Sequence, residues 1–170
     1  MLQAHQPTCV VDLEPWFHHA FDIKQAQEAA AAATTAFRQQ ILPHTTILSG
    51  SVDDALALLA DAGAAVRHPR DISDIKLMCI ALRYLGPEWV IIKQEFCDEE
   101  ERVSSLMYVL CGPLEPVHET MRCDNPKVLY GINYSIPAAI AACLAKADDV
   151  PSAVAAAFKY AQDVLTRGAL

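Results

Sequence analysis

The sequence lacks an excess of basic residues: 13 Lys and Arg against 21 Asp and Glu give a formal net charge of -8 at pH 7. Nucleic acids and anionic membrane surfaces are bound by basic faces, so this charge argues against both partners. The sequence also lacks a basic N-terminal region followed by an apolar run, and no apolar stretch approaches the roughly 20 residues that span a membrane. We therefore expect a cytoplasmic protein that binds small molecules or other proteins.

Paired cysteines are absent as well. None of the six cysteines forms a C-x-x-C pair, so the sequence predicts neither a metal site nor a disulfide framework. We expect reduced thiols that pack as small hydrophobic side chains. The cysteines are Cys9, Cys79, Cys97, Cys111, Cys123 and Cys143.

The remaining composition predicts one domain over residues 1–170, because 53% hydrophobic residues can supply a sizeable core. Apolar strand patterns alternate with amphipathic helix patterns, which favours an α/β layered sheet. We predict strands over 9–12, 45–48 and 89–93, helices over 24–40, 55–62, 71–85 and 152–167, and a hairpin of 104–110 with 114–119.

Residues 130–146 contain the most distinctive stretch, which predicts a tight turn that leads into a helix. Gly131 and Asn133 tolerate positive φ, Ser135 is a suitable N-cap, and Pro137 is tolerated in a first turn. Small apolar residues follow. A helix N-terminus of this kind can bind an anion, although a capped core helix explains the same pattern.

A second candidate site follows the first strand, which ends on Asp12. The next residues combine a carboxylate, aromatic rings and imidazoles, a mixture suited to lining a pocket, although an ordinary surface loop is the alternative. These candidates are Glu14, Trp16, His18 and His19.

Two further strand ends carry polar residues. Ser51 and Asp54 are placed either to bind a ligand or to cap the helix that begins beside them. Lys93 ends the apolar strand 89–93 and is followed by Gln94 and Glu95. Because ligands of α/β sheets bind beyond the carboxyl ends of the strands, these residues are binding candidates.

The stretch from 131 to 144 resembles the hydroxymethylpyrimidine phosphate kinases, thiamin-pathway members of the ribokinase superfamily. Their turn Gly-Thr-Gly-Cys-(Thr/Ser)-Leu precedes Ser-Ala-Ala-Ile-Ala-Ala, which residues 138–144 follow closely. Gly131 stands at the first glycine, whereas Asn133 and Tyr134 replace the second glycine and the catalytic cysteine. The resemblance implies a ribokinase-like layered α/β/α fold with a mostly parallel sheet, lacking the N-terminal part of the family domain.

The resemblance extends to the other strand ends. It implies that Asp12 keeps an acidic position near the nucleotide phosphates and metal, and that Lys93 is retained. Ser51 and Asp54 stand for the Asn and Glu of Thr-Pro-Asn-Leu-Pro-Glu-Ala. Where relatives continue from the lysine with Gly-Gly-His, this chain has 94–96, Gln-Glu-Phe.

These departures predict a repurposed protein that has lost ATP-dependent phosphoryl transfer and binds a small hydrophobic metabolite, with acid–base chemistry such as isomerisation, cyclisation or elimination. The predicted catalytic residues are Tyr134, Glu95, Glu14 and His18. The predicted ligand-binding residues are Asp12, Trp16, His19, Ser51, Asp54, Lys93, Gln94, Gly131 and Asn133.

Two alternatives stay open: a non-catalytic pseudokinase or partner-binding module, and a residual hydroxymethylpyrimidine or pyridoxal-type kinase. We expect no cofactor, except ATP and Mg under the residual-kinase alternative. The missing N-terminal strands leave the first strand with an open flank, which predicts a homodimer or another oligomer that covers this edge.

Overall fold

The fold is that of a computed structural model, which describes residues 8–13, 24–98, 103–113, 116–123, 126–146 and 148–166. Their strands are β1 Val10–Asp12, β2 Ile47–Ser51, β3 Trp89–Asp98, β4 Val103–Cys111 and β5 Val117–Cys123. Their helices are α1 Lys24–Gln40, α2 Val52–Asp61, α3 Ile72–Arg83, α4 Pro126–Leu144 and α5 Val150–Thr166, with a short 3-10 helix at Leu42–His44. No helix in these ranges is long and apolar enough to cross a membrane.

The strands form one sheet in the order β1-β2-β3-β4-β5. β1, β2 and β3 pair in parallel, β4 is antiparallel to β3, and β5 is antiparallel to β4. Four strands therefore point the same way and only β4 is reversed. This confirms the predicted mostly parallel sheet, and the hairpin of β4 and β5 lies at its edge as expected.

Strand alternation divides the core into two layers. Leu48, Val90 and Val109 face the helices α1, α2 and α3, whereas Ile47, Ile91 and Leu106 face α4 and α5. Both faces of the sheet are thus covered by helices, as expected for parallel strands with continuous apolar runs. The architecture is the predicted α/β/α layering.

The predicted bounds of β3 are wrong at its carboxyl end. The strand continues from Lys93 to Asp98, because the backbone of 94–98 pairs with 103–107 of β4. Gln94 and Glu95 therefore belong to a paired strand. β2 also differs from its prediction: it begins at Ile47, since the N–H of Thr45 instead donates to the Leu42 carbonyl and closes the 3-10 turn.

The turn predicted before Ser135 is also wrong. The helix α4 begins at Pro126, so Gly131 and Asn133 lie within it, and Pro137 is a proline inside the helix. Pro126 explains this start, because its fixed φ suits the first helical position and its missing N–H is not required there. Apolar residues at 128–132 then allow the helix to continue through the glycine.

The four described cysteine side chains, Cys9, Cys79, Cys111 and Cys143, are free thiols. Burial raises the pKa of the Cys79 and Cys111 thiols, so both stay protonated at neutral pH. Cys79 lies on α3 and Cys111 ends β4. Both belong to the core between this helix and the sheet, where they act as small hydrophobic side chains as predicted.

We predict that Gly112→Ala destabilises the fold, because an added Cβ would lie 2.1 Å from a ring carbon of Trp89. The Gly112 carbonyl also accepts a bond from Arg83 Nη1 at 2.7 Å, which restricts any backbone shift. We expect a loss of about 2–3 kcal/mol in the free energy of unfolding, measured by urea denaturation. Gly63→Asn is the control. A Cβ added at position 63 would have no atom within 4 Å, and Asn tolerates the φ of 82° at this position. Equal losses in the two variants would contradict the packing argument.

Candidate functional site

The carboxyl ends of β1, β2 and β3 meet at one edge of the sheet. Asp12 ends β1 and lies beside Ser49 of β2, while Ser51 ends β2 beside Lys93 of β3. Ile91 packs beneath α4 and α5, and Lys93 follows two residues later on the same face. The same alternation places Asp12 and Ser49 on this face. Because β5 is parallel to these strands, α4 begins at this edge too.

A buried ion pair is the central feature of this edge. Lys93 Nζ donates to Asp12 Oδ1 at 3.1 Å, and the two side chains are only 1% and 13% exposed. The lysine reaches from β3 across β2 to β1. Removing two charges from water costs several kcal/mol per ion, so each group depends on the other for compensation.

Ser49 adds a polar group that the sequence analysis missed. Its hydroxyl is fully buried and, within the described part of the chain, has no hydrogen-bond partner, whereas its carbonyl accepts the Leu13 N–H at 2.9 Å. An unsatisfied buried hydroxyl costs about 1–3 kcal/mol, so a polar atom of a ligand or a water would be stabilising here. The Ser-Gly-Ser end of β2 was the available sequence signal.

A capping box holds Ser51 and Asp54 together. The Ser51 N–H and hydroxyl both donate to Asp54 Oδ2 at 2.8 Å, and the Asp54 N–H donates to Ser51 Oγ at 3.2 Å. Of the two predicted roles, this geometry provides the cap. Asp54 Oδ1 is buried and lacks a partner among the described residues, so a ligand role for this oxygen stays a prediction.

Gly50 gives this arrangement room, because a side chain here would be tightly packed. A Cβ at position 50 would lie 3.3 Å from Asp54 Oδ2 and 3.2 Å from a Leu13 methyl group. The small residue lets the carboxylate turn back over the strand end towards Ser51. The small residues of Ser-Gly-Ser therefore leave room for the ion pair on one face of the sheet and for the cap of α2 on the other.

An aromatic pair lies beside Lys93. Tyr108 of β4 is directly opposite Lys93, and its ring stacks on Phe158 of α5 with centroids 3.7 Å apart. Both rings are buried. This pair could not be predicted from the sequence, because 50 residues separate its members and only the packing of α5 on the sheet brings them together.

The structure describes the other predicted site residues only in part. The Gln94 amide donates to the Glu95 carbonyl at 3.0 Å, and the Glu95 side chain is exposed. The backbone of Gly131, Asn133 and Tyr134 lies in α4, but their side chains are outside the description. Glu14, Trp16, His18 and His19 also lie outside the described residues. The roles of all these residues stay predictions.

The class that the fold defines is the ribokinase-like α/β/α fold. Pyridoxal kinase from Staphylococcus aureus superposes with a TM-score of 0.67 at 18% identity, over 79% of this chain and 47% of that one. Pyridoxal kinase from Bacillus subtilis, solved as an ADP complex, has a TM-score of 0.60 at 22% identity, over 75% of this chain and 46% of that one. At these identities the likeness establishes the fold alone.

Sequence comparison gives the family. The family described as phosphomethylpyrimidine kinase matches residues 22–169. The hydroxymethylpyrimidine/phosphomethylpyrimidine kinase of Streptomyces coelicolor is 27% identical over 139 residues, which cover 82% of this chain and 48% of the relative. This chain therefore belongs to the phosphomethylpyrimidine kinase family, as the resemblance indicated, and it spans about half the length of the relatives it matches.

We predict strong coupling between Asp12 and Lys93. Lys93→Met should lower the free energy of unfolding by about 3–5 kcal/mol, because it leaves a buried carboxylate uncompensated. Adding Asp12→Leu should recover much of this loss, since an apolar pair replaces the ion pair. A double-mutant cycle by urea denaturation at pH 7 measures the coupling. Additive losses would contradict the buried pair.

We also predict that Asp54 stabilises the fold through the cap. Asp54→Ala should cost about 1–2 kcal/mol, because two donors of Ser51 lose their acceptor. Asp53, in the same first turn, is exposed and provides the matched control. Asp53→Ala should change the free energy of unfolding by less than about 0.5 kcal/mol. If the two substitutions cost the same in thermal or urea denaturation, the capping role is wrong.

Proposed function

We propose that the chain is a repurposed member of its family, which has lost ATP-dependent phosphoryl transfer and binds a small hydrophobic metabolite at the carboxyl edge of β1, β2 and β3. The observation that carries this proposal is the buried ion pair between Lys93 and Asp12. By the resemblance, Asp12 corresponds to the family's acidic residue near the nucleotide phosphates and metal, and Lys93 corresponds to the lysine that the family has at the end of this strand. Here the two charges compensate each other.

The carboxylates support the loss of a metal site. Magnesium binds oxygen ligands, most often carboxylates together with substrate phosphates. Asp12 Oδ1 instead accepts from Lys93, and Asp54 Oδ2 accepts from the backbone and side chain of Ser51. Metal binding through these two oxygens would compete with contacts that stabilise the fold, and it would leave Asp12 Oδ2 and Asp54 Oδ1 as the remaining carboxylate ligands.

The backbone at 131–134 supports the loss of a phosphate site. An anion-binding turn presents several N–H groups that have no partner within the helix. Because α4 begins at Pro126, residues 131–134 lie more than one turn inside it. Their N–H groups are thereby directed to carbonyls of the preceding turn. We infer that these residues do not fit a nucleotide with its metal, and we derive no phosphoryl-transfer step for this chain.

The aromatic pair supports a hydrophobic ligand. Tyr108 and Phe158 give the core beside Lys93 an aromatic character, and the buried Ser49 hydroxyl on the same face could supply a polar contact. Binding sites for small molecules commonly combine apolar walls with a few placed polar groups. Acid–base chemistry by Tyr134, Glu95, Glu14 and His18 belongs to this proposal as its catalytic part.

A non-catalytic binding module is the second candidate. The ion pair favours it, because it takes Asp12 and Lys93 out of the groups at this edge that could exchange protons with a ligand. In both candidates the protein works without a cofactor, in the cytoplasm. We further propose a homodimer, because β1 is an edge strand of the described sheet and edge strands are commonly covered by another chain.

We predict no saturable heat in calorimetric titration of the chain with ATP and magnesium at millimolar concentrations. The Streptomyces coelicolor relative, titrated under the same conditions, is the positive control. Phosphorylation of hydroxymethylpyrimidine or pyridoxal should also be undetectable by mass spectrometry of the products. Saturable nucleotide binding with a stoichiometry near one, or either phosphorylated product, would overturn the proposal in favour of the residual kinase.

A further inference from the structure

A second concave region lies on the outer side of α2 and α3, on the opposite face of the sheet from the ion pair. It is a groove of about 240 Å³ between the two helices, bounded on one side by residues 64–67. Leu59 and Met78 form its buried floor. Val66 and Leu77 form its rim and are 38% and 63% exposed, so the groove continues into apolar surface.

Helix caps fix the walls of the groove. Gly63, with a φ of 82°, ends α2 in a Schellman motif: the Ala64 N–H donates to the Leu59 carbonyl, and the Gly63 N–H donates to the Ala60 carbonyl. This motif directs residues 64–67 across the two helices. At the start of α3, Asp71 caps the helix by accepting the N–H groups of residues 73 and 74. The groove is thus preformed.

The mouth of the groove carries an exposed arginine, Arg67. Asp74 Oδ2 accepts two bonds from Arg70, one from its backbone N–H at 3.0 Å and one from Nε at 3.1 Å. Arg67 Nη2 forms a longer ion pair with Asp74 Oδ1 at 3.7 Å, and because the Arg67 side chain is 65% exposed, this surface pair contributes little and a ligand anion can compete for the guanidinium. Asp71 also acts on Arg70, so the two arginines and two aspartates at this end of the groove carry no net charge, and Arg67 is the cation that lines the groove.

We propose that this groove is a binding site for a short- or medium-chain carboxylate, which lays its alkyl chain on the floor and directs its carboxylate to Arg67. An apolar floor with one accessible guanidinium at its end complements a molecule of this kind in both shape and charge. The volume is smaller than the roughly 300–1,000 Å³ of pockets for drug-sized ligands, which restricts the ligand to a small one.

The test uses octanoate as the probe, titrated into the full chain and followed by calorimetry and by backbone amide chemical shifts. We expect saturable binding, with the shifts concentrated in α2, α3 and residues 64–67. Arg67→Gln should weaken the binding by about tenfold, because a charged hydrogen bond is lost. Lys159→Gln, which removes the same charge from the exposed face of α5, should leave the dissociation constant within about twofold, as expected for a surface substitution remote from the site.

The apolar part is tested in parallel. Leu77→Gln should weaken octanoate binding by about tenfold, because the alkyl chain loses apolar contact area. Tyr160→Gln, at a position of similar exposure on α5, should not change it. All four positions are outside the buried core, so the variants should fold, which thermal denaturation checks.

Three outcomes would overturn the proposal. The first is no saturable binding of octanoate. The second is an equal effect of Arg67→Gln and Lys159→Gln, which would mean that net charge and not the groove attracts the probe. The third is octanol binding as tightly as octanoate, which would remove the role of the carboxylate.

Discussion

The ion pair between Lys93 and Asp12 determines how the carboxyl edge of the sheet is used. It joins the edge strand β1, only three residues long, to the central strand β3 by a contact that passes over β2. The Ser-Gly-Ser end of β2 is small enough to allow this crossing. Because the pair is buried, withdrawing either charge removes a compensating contact from the other in a low-dielectric environment.

The neighbouring features are consistent with this constraint. The Asp54 carboxylate stabilises the start of α2. Because α4 begins at Pro126, residues 131–134, which align with the family's anion-binding turn, lie inside this helix. β3 continues past Lys93 as a paired strand, where relatives have two glycines. Several positions that the resemblance connects with the nucleotide thus take part in structural contacts within the described part of this chain. The chain belongs to the family, and a rebuilt site is what we propose.

Much of the fold could be predicted because local signals determine it. The alanine-rich helix Lys24–Gln40, the Asp71 cap and the β4–β5 hairpin follow from propensity, capping and turn residues. The start of α4 could not be predicted in the same way, because Pro126 and Ser135 are both acceptable helix starts. The family motif favoured the second.

The site was less predictable than the fold. Asp12 and Lys93 were both predicted as binding residues from their places at strand ends, but their pairing depends on the register Asp12–Ser49 and Ser51–Lys93. Register between strands 81 residues apart is set by packing, which a single sequence does not reveal. The role of Asp54 could not be predicted for a different reason. Helix capping and ligand binding require the same residue types at the same spacing, so the sequence does not distinguish them.

The central claim is that the Lys93 ammonium is committed to Asp12 and does not bind nucleotide phosphate. The most direct measurement is the side-chain nitrogen resonance of Lys93 by heteronuclear NMR, assigned by its loss in Lys93→Met. The account predicts a resonance protected from exchange with water, which loses this protection in Asp12→Asn and does not move when ATP and magnesium are added. A resonance that shifts in a saturable way with ATP and magnesium would contradict the account.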